Sequence, residues 1–104
     1  MDKKIYKEVY NRSDGYCEVC GNYSGENLEL HHILRRKIIA NKNNCIMLCQ
    51  SCHRGTHGVH GRDGHTLDFR LKAGLQHKYF KLGYTEDEVR LLMNGRLYIK
   101  ETTK

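Results

Sequence analysis

The chain has 104 residues, of which 38% are hydrophobic and 29% are charged. This length and balance indicate one folded domain with a small core, and they exclude a disordered chain. No apolar run reaches the roughly 18–20 residues that cross a bilayer, and the first residues lack the apolar stretch of a secretory signal. We therefore expect a cytosolic protein with no membrane partner.

The sequence carries 18 Lys and Arg against 12 Asp and Glu, a formal net charge of +6. Nine basic and six acidic residues lie on each side of the boundary after Gly58, so each part carries +3. An evenly spread basic excess is a weak indication of a polyanionic partner such as nucleic acid. We detect no internal repeat and no low-complexity segment.

The N-terminal half is predicted to contain a helix, two short strands and a second helix. Ile5 and Val9 stand at helical spacing in residues 3–13, and Asp14-Gly15 is typical of a helix end. Alternation of apolar and polar residues over 28–33 is typical of a strand. The remaining predicted elements are a strand over 46–48 and a short helix from about Cys52 to His57.

The C-terminal half is predicted to be helical. A loop containing Gly58, Gly61 and Gly64 precedes an amphipathic helix over 66–82. One face of this helix carries the apolar residues Leu67, Leu71, Leu75, Tyr79 and Leu82.

A capping box of Thr85 and Glu88 opens a further helix that Gly95 ends. Residues 97–99 suggest a short strand in the tail. We predict a single domain over 1–104, with a core over 17–57 and a helical extension over 66–95.

Two Cys-x-x-Cys pairs, Cys17/Cys20 and Cys49/Cys52, are separated by 28 residues. Each pair can aim two thiolates at one ion from a single turn, and four thiolates complete the closed tetrahedral site of structural zinc. A redox dithiol and unrelated buried cysteines are the alternatives. Cys45, the fifth cysteine, is interpreted as a small buried apolar residue.

Four histidines accompany the cysteine pairs. His31 and His32 are adjacent on the first predicted strand, so their side chains point to opposite faces. His53 and His57 are four residues apart and would share one face of the short helix. His60, His65 and His77 are interpreted as surface or structural residues.

Together these motifs resemble the HNH endonuclease family. The resemblance covers residues 17–57 and consists of elements in the family's order: the two cysteine pairs, Leu30-His31-His32-Ile33, Asn44 and His53-x-x-x-His57. It implies an α+β fold with a small ββα-metal core, treble-clef-like and of the His-Me finger type. A structural four-cysteine zinc site, an N-terminal helix and a C-terminal helical extension would complete the fold.

By this resemblance His32 is the general base that activates water, while Asn44 holds the loop between the strands and so orients the base. His31, His53 and His57 would bind the catalytic cation. Chemistry supports these roles, because a neutral imidazole can accept the proton of water at physiological pH. We expect a structural Zn²⁺ and a divalent catalytic cation: Mg²⁺, Mn²⁺, Ni²⁺ or Zn²⁺.

The sequence differs from the common family pattern at two places. Many members carry an aspartate where this chain has His31, which leaves the preferred cation open, and imidazole ligands suit zinc or nickel. The segment after His32 lacks the usual glycine-rich turn and contains basic residues instead. We predict phosphate contacts from Arg35, Arg36, Lys37 and Arg54, with a solvated turn as the alternative for the first three.

We therefore predict a metal-dependent HNH endonuclease that hydrolyses DNA phosphodiester bonds, by nicking or by double-strand cleavage. Two alternatives stay open: a non-catalytic, zinc-stabilised nucleic-acid-binding module, and a nuclease specialised for branched DNA. The compact form is similar to HNH proteins of phages and mobile elements. Neither the DNA sequence cut nor the oligomeric state follows from these patterns.

Overall fold

A computed structural model describes residues 3–34 and 42–99 of the chain. Its elements are α1 (Lys3–Ser13), a 3₁₀ turn (Gly25–Asn27), β1 (Glu29–His32), β2 (Cys45–Leu48), α2 (Gln50–Arg54), α3 (His65–Lys81) and α4 (Glu86–Leu92). Within the described residues this is a small α+β fold with four α-helices and a two-stranded sheet. The predicted fold class is confirmed.

Helix α1 ends where the sequence predicts. Asp14 and Gly15 adopt left-handed φ angles of 54° and 86°, which stop the helix. The apolar pair Ile5 and Val9 is buried, and α1 packs against β2. Helical spacing in this segment therefore corresponds to one buried face.

The sheet is antiparallel, and its register pairs Leu30 with Met47 and His31 with Ile46. Because side chains alternate across a strand, successive residue pairs face opposite sides of the sheet. Met47 enters the core that α1 covers, whereas Ile46 also contacts the core formed with α3 and α4. The two short strands thus stand between two apolar clusters.

The buried apolar residues of the described chain fall into these two clusters. The first contains Ile5, Val9, Cys17, Leu28, Cys45, Met47 and Leu48. The second contains Ile33, Leu34, Leu75, Tyr79, Val89 and Met93. The helical extension is therefore attached to the sheet through the residues that directly follow β1.

Asn44 closes the connection between the two strands. Its side chain is almost fully buried, its Oδ1 accepts a hydrogen bond from the Leu34 amide at 2.9 Å, and its Nδ2 donates to the Leu34 carbonyl at 3.2 Å. The amide of Ile33 donates to the carbonyl oxygen of Asn44 at 2.8 Å. This is the contact geometry that the loop-holding role requires, while the contribution of Asn44 to cleavage stays a prediction.

Helix α4 begins as predicted, with both hydrogen bonds of the capping box between Thr85 and Glu88. The apolar face predicted for α3 is wrong at its end, because Leu82 follows the helix and is 57% exposed. A polar residue, Gln76, is fully buried instead. In the part of the chain that the structure describes, no helix is long and apolar enough to span a bilayer.

The tail does not form the predicted strand over 97–99. Its backbone bonds to a side chain: Gln76 Oε1 accepts from the Tyr98 amide at 2.6 Å, and Gln76 Nε2 donates to the Ile99 carbonyl at 2.7 Å. A buried amide group therefore takes the place of a neighbouring strand, because its donor and acceptor satisfy the backbone groups of the tail.

Candidate metal centres

The two Cys-x-x-Cys pairs meet in one cluster. The sulfur atoms of Cys17, Cys20, Cys49 and Cys52, here called the cysteine quartet, all lie within 4.8 Å of one another. The quartet is positioned for a zinc ion, because four thiolates at this spacing match the closed tetrahedral site. Cys45 lies outside the quartet, and its side chain is buried in the first core.

Local backbone geometry prepares the quartet for a metal. Cys49 is the N-cap of α2, and its sulfur accepts a hydrogen bond from the amide of Cys52 at 3.4 Å. The amide of Val19 approaches the sulfur of Cys17 at 3.5 Å in the same way. Although burial opposes it, hydrogen bonding from the backbone of Cys20, Cys49 and Val19 lowers the pKa of Cys17 to about 7. These donors favour the thiolate of Cys17, which is the form that binds metal, whereas burial raises the pKa of Cys52.

A second cluster brings together three imidazoles. The side chains of His31, His53 and His60, here called the imidazole group, place one nitrogen each within 4.8 Å of the others. Their ring centroids are 5.3 Å (His31–His53), 5.1 Å (His31–His60) and 4.9 Å (His53–His60) apart. Zinc binds imidazole nitrogens at about 2.0–2.1 Å, so small side-chain rotations would let the three rings reach one ion.

His31 is the buried member of this group. Its side chain is 5% exposed, and its Nε2 has no hydrogen-bond partner among the described residues. Burial, helped by the neighbouring His53 and His60, lowers the pKa of His31 to about 4. The ring is therefore neutral at physiological pH and offers a lone pair, which fits a divalent cation.

His57, the third ligand expected from the family resemblance, lies outside the imidazole group and is exposed. The reason is the length of α2, which ends at Arg54 rather than at His57. Gly55 leaves the helical conformation with a ψ of 175°, so His53 and His57 do not share a helical face. His60, interpreted from the sequence as a surface or structural residue, stands in the group instead.

His32 lies at the edge of the same pocket. It is the last residue of β1 and is exposed, and it lines a pocket together with Leu30 and the imidazole group. His32 thus presents a solvent-accessible imidazole beside the three clustered rings. The role of His32 as a base stays a prediction.

Glu29 is a site residue that the sequence reasoning missed. Its Oε1 lies 2.7 Å from Nδ1 of His53. The hydrogen bond with His53, supported by the Arg54 guanidinium, holds the pKa of Glu29 below its usual value despite partial burial. An ionised carboxylate only accepts hydrogen bonds, so Nδ1 of His53 is the donor and its Nε2 is left for a cation. The sequence did offer one indication of this role: Glu29 lies two residues before His31, so the two side chains share one face of β1.

Arg54 also contacts Glu29. Its Nε donates to Oε1 at 3.1 Å and its Nη2 donates to Oε2, a two-point pairing that fixes the carboxylate. The predicted phosphate contact of Arg54 would therefore compete with this ion pair. Arg35, Arg36 and Lys37, the other predicted phosphate contacts, lie outside the described residues.

Loss of the quartet should unfold the core. Structural zinc contributes roughly 10–16 kcal/mol in small zinc-binding peptides, against about 5–15 kcal/mol for the whole stability of a domain. Cys20 is exposed, so Cys20→Ala removes little packing. We expect this variant to lose zinc and to unfold at a clearly lower temperature, measured by metal analysis and circular dichroism.

Cys45→Ala is the matched control, because this cysteine is buried but lies outside the quartet. It should retain one zinc per chain even where a cavity lowers its stability. A Cys20→Ala protein with full zinc content and unchanged melting would contradict the zinc assignment.

Replacing Glu29 should weaken the second cation without affecting zinc. Removing an outer-shell partner of a ligating histidine commonly costs about 10–100-fold in metal affinity. We expect Glu29→Gln to show a loss of this size for Co²⁺ or Ni²⁺ in calorimetric titrations of zinc-loaded protein. Glu26→Gln, at an exposed position, is the control. Equal affinities of the two variants would show that Glu29 does not orient His53.

The family model described as HNH endonuclease matches residues 17–58. No curated protein and no solved structure matches the chain. The matched segment contains the cysteine quartet, β1, β2 and α2, together with His31 and His53. The similarity of this chain to the HNH endonuclease family therefore extends over residues 17–58.

Proposed function

We propose that this protein is a metal-dependent endonuclease that hydrolyses phosphodiester bonds of DNA. The observation that carries the proposal is the imidazole group beside the exposed ring of His32, within and next to the segment that matches the HNH family. The quartet would hold a structural zinc, and His31, His53 and His60 would hold the catalytic cation. We further propose that the whole chain acts as one domain, because the extension packs onto residues next to β1.

The donor set favours some cations over others. Three neutral imidazoles suit late first-row ions such as Zn²⁺, Ni²⁺ and Co²⁺, whereas Mg²⁺ prefers oxygen ligands. A divalent cation held there supplies charge neutralisation on the phosphoryl oxygens and on the departing oxygen. With only three protein ligands, positions on the ion stay open for substrate.

His32 is proposed as the general base. Its imidazole would accept a proton from a water molecule as the water oxygen bonds to phosphorus, while the bond from phosphorus to the 3′ oxygen breaks. Products with a 5′-phosphate and a 3′-hydroxyl would result, as the family resemblance implies. Asn44 supports this role indirectly, because its hydrogen bonds with Leu34 fix the chain just after the base.

DNA contacts are supported by a groove between α1, the start of β2 and α3. Arg70 and Lys78 line it from one face of α3, with Gly74 between them, and Arg12 and Asn43 line the other side. In the described part of the chain, neither Arg70 nor Lys78 pairs with a carboxylate. Burial, together with the nearby Arg12, lowers the pKa of Lys78. Cations that form no salt bridge among the described residues and face one groove are suited to bind phosphates, although the carboxylate of Glu18 also lines this groove and attracts Lys78.

The first test removes the base. A well-placed general base contributes roughly 10²–10⁴ in rate, so His32→Ala should lose nicking of supercoiled plasmid by about that factor. The assay should include a panel of divalent ions, and the variant should bind DNA and metal as the parent does.

His77→Ala is the control, because His77 lies on α3 and does not line the imidazole pocket. Full activity in His32→Ala would refute the base. Tight DNA binding without cleavage by the parent protein, under every ion tested, would favour the non-catalytic module. Strong preference for junction or flap DNA over linear DNA would favour the branched-DNA nuclease.

The second test concerns the groove. Each phosphate contact adds about 0.9 to the slope of log affinity against log salt concentration on duplex DNA. The double variant Arg70→Ala/Lys78→Ala should therefore lower this slope by about 2. Filter binding or fluorescence anisotropy over a range of salt concentrations measures the slope.

A control with the same net charge separates local contacts from overall attraction. Lys7→Ala/Arg90→Ala also removes two positive charges, from α1 and α4. If both double variants change the slope equally, the groove does not contact phosphate.

A further inference from the structure

Residues 55–64, here called the glycine turns, contain a three-residue repeat. The units are Gly55-Thr56-His57, Gly58-Val59-His60 and Gly61-Arg62-Asp63, followed by Gly64. The amides of Gly58, Gly61 and Gly64 each donate to the carbonyl of the glycine three residues earlier, at 2.9, 2.8 and 3.1 Å. The segment is thus three consecutive turns.

Space rather than backbone conformation requires the glycines. None of the four has a positive φ. A Cβ atom built on Gly61 would overlap the carbonyl oxygen of Gly55, and one on Gly64 would overlap that of Gly58. Each turn therefore packs directly on the backbone of the turn before it, and any side chain at these positions would push the turns apart.

The glycine turns are attached to α2 at a fixed register. The amide of Val59 donates to the carbonyl of Cys52, and the amide of His60 donates to the carbonyl of His53, both at 2.9 Å. The second bond places the backbone of His60 beside that of His53 and brings their rings to 4.9 Å. His57 and Asp63 occupy the equivalent places in the neighbouring units, yet neither lies in the imidazole group.

We propose that the glycine turns set the register at which His60, and not His57, is the third protein ligand of the cation. This deepens the proposed function and rests on its cation site. The ligand that the family resemblance places one helical turn after His53 would be replaced by one placed seven residues after it. The ligand class is a late first-row divalent ion bound by three imidazoles.

The deciding experiment compares His60→Ala with His57→Ala. Protein supplied with one equivalent of zinc, for the quartet alone, is titrated with Ni²⁺ or Co²⁺ by calorimetry, and the Co²⁺ absorption bands report the ligand set. His60→Ala should lose more affinity than the roughly 10–100-fold that loss of an outer-shell partner costs, with changed Co²⁺ bands. His57→Ala should keep the affinity and the bands of the parent.

The other outcomes overturn the proposal. If His57→Ala loses cation affinity and His60→Ala keeps it, the third ligand is His57, as the family resemblance implies. Loss in both variants, or in neither, would show that the turns do not select one ligand. Content of the structural zinc and circular dichroism confirm that each variant is folded.

A second pair tests the turns themselves. Gly61→Ala keeps His60 but forces the turns apart, so its cation affinity should fall toward that of His60→Ala. Gly74→Ala, where no atom lies within 4 Å of the added carbon, should bind as the parent does. Parent-like affinity in Gly61→Ala would contradict the role of the turns. If Gly61→Ala also loses the structural zinc, the comparison of His60→Ala with His57→Ala decides.

Failure of this inference differs from failure of the proposed function. If the parent protein nicks plasmid and His60→Ala binds the cation normally, the proposed function holds and the assignment of His60 as a ligand is wrong. If the parent protein binds the second cation through His60 but never cuts DNA, the assignment of His60 as a ligand holds and the proposed function is wrong.

Discussion

The fold depends on one constraint, the convergence of four cysteine sulfurs from two turns that are far apart in the chain. Cys49 is both a member of the quartet and the N-cap of α2, so the same residue fixes one corner of the candidate metal site and the start of the helix. Helix α2 has only five residues. A helix this short is not stable through its own hydrogen bonds, so its direction is set by the quartet and by contacts with the sheet.

The turn that carries Cys17 and Cys20 is connected to the sheet by an ion pair and hydrogen bonds as well as through the quartet. Arg12 makes two hydrogen bonds with Glu18, at 2.7 and 2.8 Å, and also donates to the carbonyl oxygen of Cys45. Glu18 in turn accepts from the amide of Met47 at 3.0 Å, and its own amide donates to the carbonyl of Met47. Hydrogen bonds therefore connect the end of α1, the turn that carries Cys17 and Cys20, and β2 around the quartet.

The closed site positions the open one. His53 follows Cys52 directly, and its ring is held by Glu29 from the neighbouring strand. The proposed cation site therefore has an outer-shell hydrogen bond between Glu29 and one of its ligands, as metal-binding histidines commonly do. The two clusters differ in what they would leave open: four thiolates would complete the coordination of a zinc ion, whereas the three imidazoles border a pocket that His32 also lines.

Much of this architecture follows from local sequence. The sequence predicts the two Cys-x-x-Cys pairs, α1, the capping box and the strands, because each depends on residues only a few positions apart. His31 and His53 were predictable as neighbours from the family resemblance, and the structure brings them together.

The parts that could not be predicted depend on distant contacts. Glu29 meets His53 across the sheet, a separation of 24 positions that no spacing rule covers. His60, rather than His57, lies beside His31 and His53 because α2 ends early and the glycine turns follow, and periodicity does not report where a short helix ends. Gln76 looks like a surface residue by type, and only its bonds to the tail explain its burial.

The contacts of Gln76 have a practical consequence for where the polypeptide can be shortened. A version that stopped before Tyr98 would leave this enclosed amide without the backbone groups that satisfy it. An enclosed polar group without partners costs about 1–3 kcal/mol, a sizeable share of what holds a protein of this size together. Tyr98 and Ile99 thus satisfy the interior of the extension through their backbone, although they form neither helix nor strand.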